Sequence, residues 1–152
     1  MNAIEQPFEF GRIGHEQLRG IIKRMGVQFP EDYVRFLLET NGGYPLNPVV
    51  RVPGQVLAEV QYFLAAGSKN RHANLEQTAK RMKDRMPGEL LPVAINSGGD
   101  YYCLALSGPH TGKMFCWKHD NEAENDGSHF YGNVQILANS FEEFFNHLQP
   151  DE

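Results

Sequence analysis

The stretch from Leu90 to Asp120 constrains the fold more than any other part of the chain, because three short apolar runs alternate there with glycine-containing turns. The apolar runs are Leu90 to Ile95, Tyr101 to Leu106 and Lys113 to Lys118. Short apolar runs joined by loops of about five residues are typical of antiparallel strands in a β-meander. A lone hairpin is marginally stable in water, so such a meander needs a helical layer packed against it.

Four other segments predict that helical layer, because each has apolar residues at helical spacing and boundary residues that favour helix ends. They begin near His15, Pro30, Asn74 and Ser140, and the first three end near Gly26, Asn41-Gly42-Gly43 and Met86. Two further strands are predicted over Val56–Ala66 and Val134–Ala138, the former after an ordered loop from Tyr44 to Pro53. The order α-α-β-α-β-β-β-β-α predicts an α+β fold with a mostly antiparallel sheet packed against helices.

The chain has 152 residues, enough for one domain that buries most of its apolar surface without disulfides, and residues 1–152 are predicted to form that single domain. No apolar run is long enough to cross a membrane, and the N-terminus lacks the pattern of a signal peptide. Cys103 and Cys116 lie in neighbouring predicted strands, where two buried thiols are favoured over a disulfide. Reducing cytoplasm is therefore the expected location.

Charge is distributed unevenly along the chain, whose net charge is −5. Residues 62–85 contain six bases and two acids, a balance of +4, whereas residues 86–152 contain two bases and ten acids, a balance of −8. An acidic half argues against nucleic-acid binding, which depends on neutralising phosphates with Lys and Arg. It suits a basic protein partner, although solubility alone is the more ordinary explanation.

Three patterns follow one another in a fixed order. They are Pro30-Glu31-Asp32-Tyr33-Val34-Arg35-Phe36-Leu37 through Asn41-Gly42-Gly43, then Leu91-Pro92-Val93-Ala94 leading to Gly98-Gly99-Asp100-Tyr101-Tyr102-Cys103-Leu104, then Gly112-Lys113-Met114-Phe115-Cys116-Trp117 followed by His119-Asp120. In this order they resemble the SUKH superfamily of Smi/Knr-like proteins, and the helix from Ser140 is similar to the closing helix of that family. The resemblance covers most of the chain from about Leu18 onward. It implies a non-catalytic binding module: bacterial members are commonly immunity proteins that neutralise a secreted toxin, often a nuclease, and fungal relatives are regulatory interaction proteins.

The densest set of side chains that could bind a metal lies in a polar loop after the third apolar run. Its members are His119, Asp120, Glu122, Glu124, Asp126 and His129. Oxygen and imidazole groups of this kind could hold a divalent metal for a small hydrolase. Counting from Asp120, however, Asn125 stands where an EF-hand needs glycine and Tyr131 where it needs glutamate. A solvated acidic edge is favoured, so no metal, cofactor or catalytic residue is predicted.

The preferred interpretation is a non-enzymatic cytoplasmic immunity protein that binds a basic toxin by complementary charge, with no nucleic-acid or membrane partner. The predicted contacts are the carboxylates Asp120, Glu122, Glu124 and Asp126, with Trp117 and Tyr131 as apolar anchors. Core packing is the alternative for Trp117, because about half of the side chains in a strand point inward. A regulatory scaffold of the same fold is the second hypothesis, and a metal-dependent hydrolase that uses residues 119–129 is the third.

Overall fold

A computed structural model describes residues 2–52, 55–119 and 134–151. Within these residues the chain forms four α-helices, seven β-strands and one short 3-10 helix. In chain order they are α1 (His15–Met25), α2 (Glu31–Glu39), β1 (Val49–Val52), β2 (Gln55–Glu59), β3 (Tyr62–Phe63), the 3-10 helix (Arg71–Ala73), α3 (Leu75–Met82), β4 (Leu90–Ile95), β5 (Tyr101–Ala105), β6 (Met114–Trp117), β7 (Val134–Ala138) and α4 (Phe141–His147). The arrangement is an α+β fold, which confirms the predicted class.

The larger sheet is an antiparallel meander. Strands β3 to β7 pair in their sequence order, while β1 and β2 pair with each other as a separate ribbon. The three strands predicted from the apolar runs are β4, β5 and β6, in the middle of the larger sheet. Gly99 lies in the turn between β4 and β5 with a φ of 92°, a backbone conformation that glycine adopts at little cost. The glycine-containing turns therefore lie where the chain reverses, as predicted.

The prediction of one continuous strand over Val56–Ala66 is wrong. The structure has β2 and β3 there, and the two strands belong to different sheets. Val60 donates its N–H to the carbonyl of Pro48, and Gln61 donates its N–H to the carbonyl of Ile95, each at 2.7 Å. Successive residues thus bond to partners in two different parts of the chain. An apolar run indicates that a segment is buried but not in which sheet it pairs. Its periodicity could therefore not show that the chain passes from one sheet to the other within this segment.

The loop predicted from Tyr44 to Pro53 is also wrong in its second half, where β1 begins at Val49. Val49 exchanges two backbone hydrogen bonds of 2.9 Å with Gln149, near the other end of the chain. Prolines lack a backbone donor and occur in loops and in edge strands alike. The three prolines of this segment therefore favoured the prediction of a loop where the structure has a short strand.

Two helix starts are confirmed by their side-chain caps. Oδ1 of Asn74 accepts a hydrogen bond from the N–H of Gln77 at 2.9 Å, and Oγ of Ser140 accepts one from the N–H of Glu143 at 3.0 Å. Each cap satisfies a backbone donor that has no partner within its helix. The end of α3 differs from the prediction, because the helix stops before Met86, although that side chain is buried as expected.

Separate apolar clusters cover the two faces of the larger sheet. One contains Leu37 of α2 and Phe141 of α4, and the other contains Met82 at the end of α3. Cys116 belongs to the first cluster and Cys103 to the second, so the two thiols point to opposite faces of the sheet. Both are free and buried, which confirms the preference for two buried thiols over a disulfide.

Candidate functional site

A polar turn between β4 and β5 forms one end of the larger sheet, and Asn96 organises it. The Asn96 side chain is buried, with the residue only 4% exposed. Its Oδ1 accepts hydrogen bonds from the N–H groups of Gly98 and Asp100, each at 2.9 Å, while its Nδ2 donates to Oδ2 of Asp100 at 3.3 Å. An asparagine that bonds the backbone of its own turn holds that turn in one conformation. The Asp100 carboxylate is therefore fixed in position.

Asp100 in turn holds His119, the last described residue before segment 120–133. Oδ1 of Asp100 accepts the backbone N–H of His119 at 3.0 Å and lies 2.8 Å from Nδ1 of the imidazole. Burial acts to raise the pKa of Asp100, but the hydrogen bonds from His119 and Asn96 outweigh it, so the pKa is lower than usual. Asp100 is therefore ionised at neutral pH, and it fixes the point from which the chain leaves β6.

An open cleft of about 690 Å³ lies beside this turn, next to the ribbon of β1 and β2 and to residues near the C-terminus. Its lining includes the carboxylates of Glu59, Asp100 and Asp151 and the guanidinium of Arg51. Oγ of Ser97 donates to Oε1 of Glu59 at 2.9 Å, which joins the turn to β2. We call the surface of Glu59, Asp100 and Asp151 the acidic cleft. Among its described lining residues the carboxylates outnumber the guanidinium.

Of the six contacts predicted from the sequence, Trp117 lies within the described part of the chain. Its side chain is fully buried, with its ring centre 6.1 Å from that of Tyr101 and 5.5 Å from the guanidinium carbon of Arg85. The indole therefore packs in the core, which is the alternative that the sequence pattern left open. The other five contacts lie outside the described residues: Asp120, Glu122, Glu124, Asp126 and Tyr131.

The metal-site hypothesis rests on the same segment, of which the structure describes His119 alone. Within the described ranges, no three His, Cys, Asp or Glu side chains come together as a group that could hold a metal ion. In the same ranges, none of the helices has the length and apolar character needed to cross a bilayer.

Two features of the acidic cleft could not be predicted from the sequence. The pattern identifies Asn96 as a turn residue, but it does not show that the side chain is buried beneath the turn. Glu59 falls inside the run predicted as a single strand, which conceals its position at the end of a ribbon facing Ser97. The side chain of an asparagine in a turn commonly bonds the backbone two residues further on, and this rule could have predicted the hydrogen bond from the N–H of Gly98 to Asn96.

The meander, its flanking helices and the polar turn at one end define a small α+β protein of the type that the three sequence patterns predict. A model of the SMI1 / KNR4 family (SUKH-1) matches residues 13–147, and the chain therefore belongs to this family. Membership supports a non-catalytic immunity-type or regulatory role. The SPbeta prophage-derived uncharacterized protein YokK of Bacillus subtilis (strain 168) is 27% identical over 146 residues, an alignment covering 86% of this chain and 71% of the relative.

Proposed function

We propose that this chain is an immunity protein that binds and neutralises a basic secreted toxin through the acidic cleft and the acidic segment after His119. The observation that supports the proposal is the contact of Asp100, which lines the acidic cleft, with His119, the last described residue before that segment. The SUKH family supports the general class of function.

In this proposal, recognition depends on complementary charge. The acidic cleft supplies three carboxylates, and the sequence adds Asp120, Glu122, Glu124 and Asp126 in the segment that follows. A concentrated negative field accelerates encounter with a basic protein and selects it over neutral proteins. Tyr131 is the proposed apolar contact. Trp117 is buried in the core, where it packs against Tyr101 at the start of β5.

Neutralisation in this proposal needs no chemistry from the immunity protein. A toxin that acts on nucleic acid must present a basic surface to phosphates, and an acidic protein bound there would compete directly with its substrate. The two free, buried thiols are consistent with the cytoplasmic location that we include in the proposal. In this proposal the acidic surface of the immunity protein shares only its negative charge with the nucleic-acid substrate of the toxin.

Co-expression with a toxin encoded at the same locus tests the proposal. The informative variant is Asp120→Asn/Glu122→Gln/Glu124→Gln/Asp126→Asn, which removes the proposed contact charges. Its matched control neutralises four exposed acids elsewhere: Glu5, Glu9, Glu16 and Glu39, each changed to Gln. Both variants change the net charge equally, so a difference between them reports position rather than total charge.

We expect the first variant to lose protection against the toxin and to associate with it about tenfold more slowly at low salt, while the control behaves as the unchanged chain does. The immunity proposal fails if no toxin of the locus is bound or neutralised, or if the two variants lose protection equally. Weak binding to several housekeeping proteins, with no toxin neutralised, would favour the regulatory role instead.

A further inference from the structure

A second concave surface lies between the end of α1, α3 and the first residues of β4, and its volume is about 310 Å³. Its half-buried lining residues include Met25, Val27 and Leu106, while Met82 and Met86 lie buried beneath them. We call it the methionine groove. Its volume falls at the lower end of the range of about 300–1,000 Å³ found for ligand sites. Methionine side chains are flexible and polarisable, so they adapt to the shape of an apolar group that enters.

An ion pair joins the two helices that border the groove. Arg24 of α1 donates from Nη2 to Oε1 of Glu76 at 2.9 Å and from Nε to Oε2 at 3.1 Å. The two parallel bonds raise the pKa of Arg24 and lower that of Glu76, so both groups stay charged across the neutral range. Glu76, the one carboxylate among the described lining residues, is thus already bound to a base.

The rim of the groove is positive. Its lining contains the bases Arg24, Lys80 and Lys83 and the single acid Glu76. Lys80 and Lys83 are exposed and are three residues apart on the last turn and end of α3, so they lie on neighbouring positions of one helix face. An occupant that suits this surface combines an apolar side chain for the floor with carboxylates for the two amines.

We propose that the methionine groove binds an acidic segment of a partner protein, with one large apolar side chain packed against Met25, Val27 and Leu106 and with flanking carboxylates on Lys80 and Lys83. This inference goes beyond the immunity proposal, because it concerns a different surface of opposite charge. Charge complementarity at the rim selects an acidic segment, and the half-buried side chains of Met25, Val27 and Leu106 select one that carries a leucine- or methionine-sized side chain.

Methionine methyl groups give a direct readout. Of the five methionines of the chain, Met25 is half-buried in the groove lining, while Met114 is fully buried in the first core cluster and serves as an internal control. The full-length chain, labelled with ¹³C at the methionine methyl groups, is titrated with a short peptide of alternating Glu and Leu. We expect an NMR shift at the half-buried Met25 but not at Met114. Comparison peptides replace Leu with Ser, or Glu with Lys, and both should bind more weakly.

The matched variants are Lys80→Glu/Lys83→Glu, on the rim, and Lys69→Glu/Arg71→Glu, two exposed bases outside the groove lining. Both make the same change in net charge. The rim variant should bind the Glu–Leu peptide about tenfold more weakly, whereas the control should keep its affinity, with circular dichroism verifying that both are folded.

Equal losses in the two variants would overturn the proposal, as would equal binding of the peptide that lacks Leu or the absence of a shift at Met25. Sodium octanoate is titrated in parallel. Groove shifts with octanoate but none with the peptide would assign the groove to amphipathic small molecules and would also overturn the proposal.

Discussion

Asn41 allows a demanding test of how the Asn-Gly-Gly pattern stabilises this protein. It follows α2, is fully buried, and has a φ of 49°. Its Nδ2 donates to the carbonyls of Gly11 and Ala66, and its Oδ1 accepts the N–H of Ala66, all at 2.9 Å. One amide therefore joins the N-terminal region, the end of α2 and the chain that follows β3.

Replacing Asn41 with Ala removes all three hydrogen bonds. Each contributes a net stability of about 1 kcal/mol, and the buried backbone groups of Ala66 are left without their partner. The left-handed backbone costs an alanine about 1 kcal/mol more. We therefore expect the free energy of unfolding to fall by about 4 kcal/mol. That loss is large beside the total of about 5–15 kcal/mol typical of proteins of this size.

Urea titration followed by tryptophan fluorescence measures this loss, because the chain has one tryptophan and its side chain is buried in the folded state. Asn41→Gly removes the same hydrogen bonds but tolerates the left-handed backbone, so it should be about 1 kcal/mol more stable than Asn41→Ala. Exposed Asn139→Ala is the control and should change stability by less than about 0.5 kcal/mol. A loss below about 1 kcal/mol for Asn41→Ala would show that its three hydrogen bonds do not stabilise the fold to this extent.

Three further predictions follow from other contacts. Ser140→Ala removes the N-cap of α4 and should cost about 1 kcal/mol by urea titration, so an unchanged midpoint would contradict the cap. Burial raises the pKa of both Cys103 and Cys116, the latter to about 11, so neither thiol should react with a disulfide reagent at mildly alkaline pH until urea unfolds the chain. Because the pKa of Asp100 is lowered, its contact with His119 stabilises the fold at neutral pH, and this contribution is lost as pH falls through that lowered value. The stability gap between the unchanged chain and Asp100→Asn should therefore shrink in acid, and a gap that stayed constant in thermal unfolding would exclude this linkage.

Local signals in the sequence were sufficient for the helix starts and the meander. The cap of α4 depends on residues three apart, and the turn between β4 and β5 depends on adjacent Asn and Gly residues. The ribbon is different, because Val49 bonds to Gln149 and Val60 bonds to Pro48. Pairing over such separations depends on the assembled fold, and no pattern within a short window reports it.

Trp117 shows why the candidate site could be predicted only in part. Every residue of β5 and β6 is buried, because apolar clusters cover both faces of the sheet there. An alternating pattern separates core from surface only when one face meets solvent. The sequence could therefore identify an acidic region from its composition, but it could not place Trp117 in the core or pair Asp100 with His119.

The patterns that identify the family consist largely of residues that specify the fold. Tyr33 and Leu37 are fully buried, and a Cβ on Gly42 would lie 2.5 Å from the carbonyl oxygen of Leu64. Such residues have little surface to offer a partner, so they cannot determine which partner is bound. The charged groups of the acidic cleft and of the methionine groove are in contrast mostly exposed, and substitutions of the exposed ones cost little stability; Asp100, which is bonded to His119, is the exception. A chain built in this way could change its surface contacts while it keeps its core, as the proposed immunity role would require.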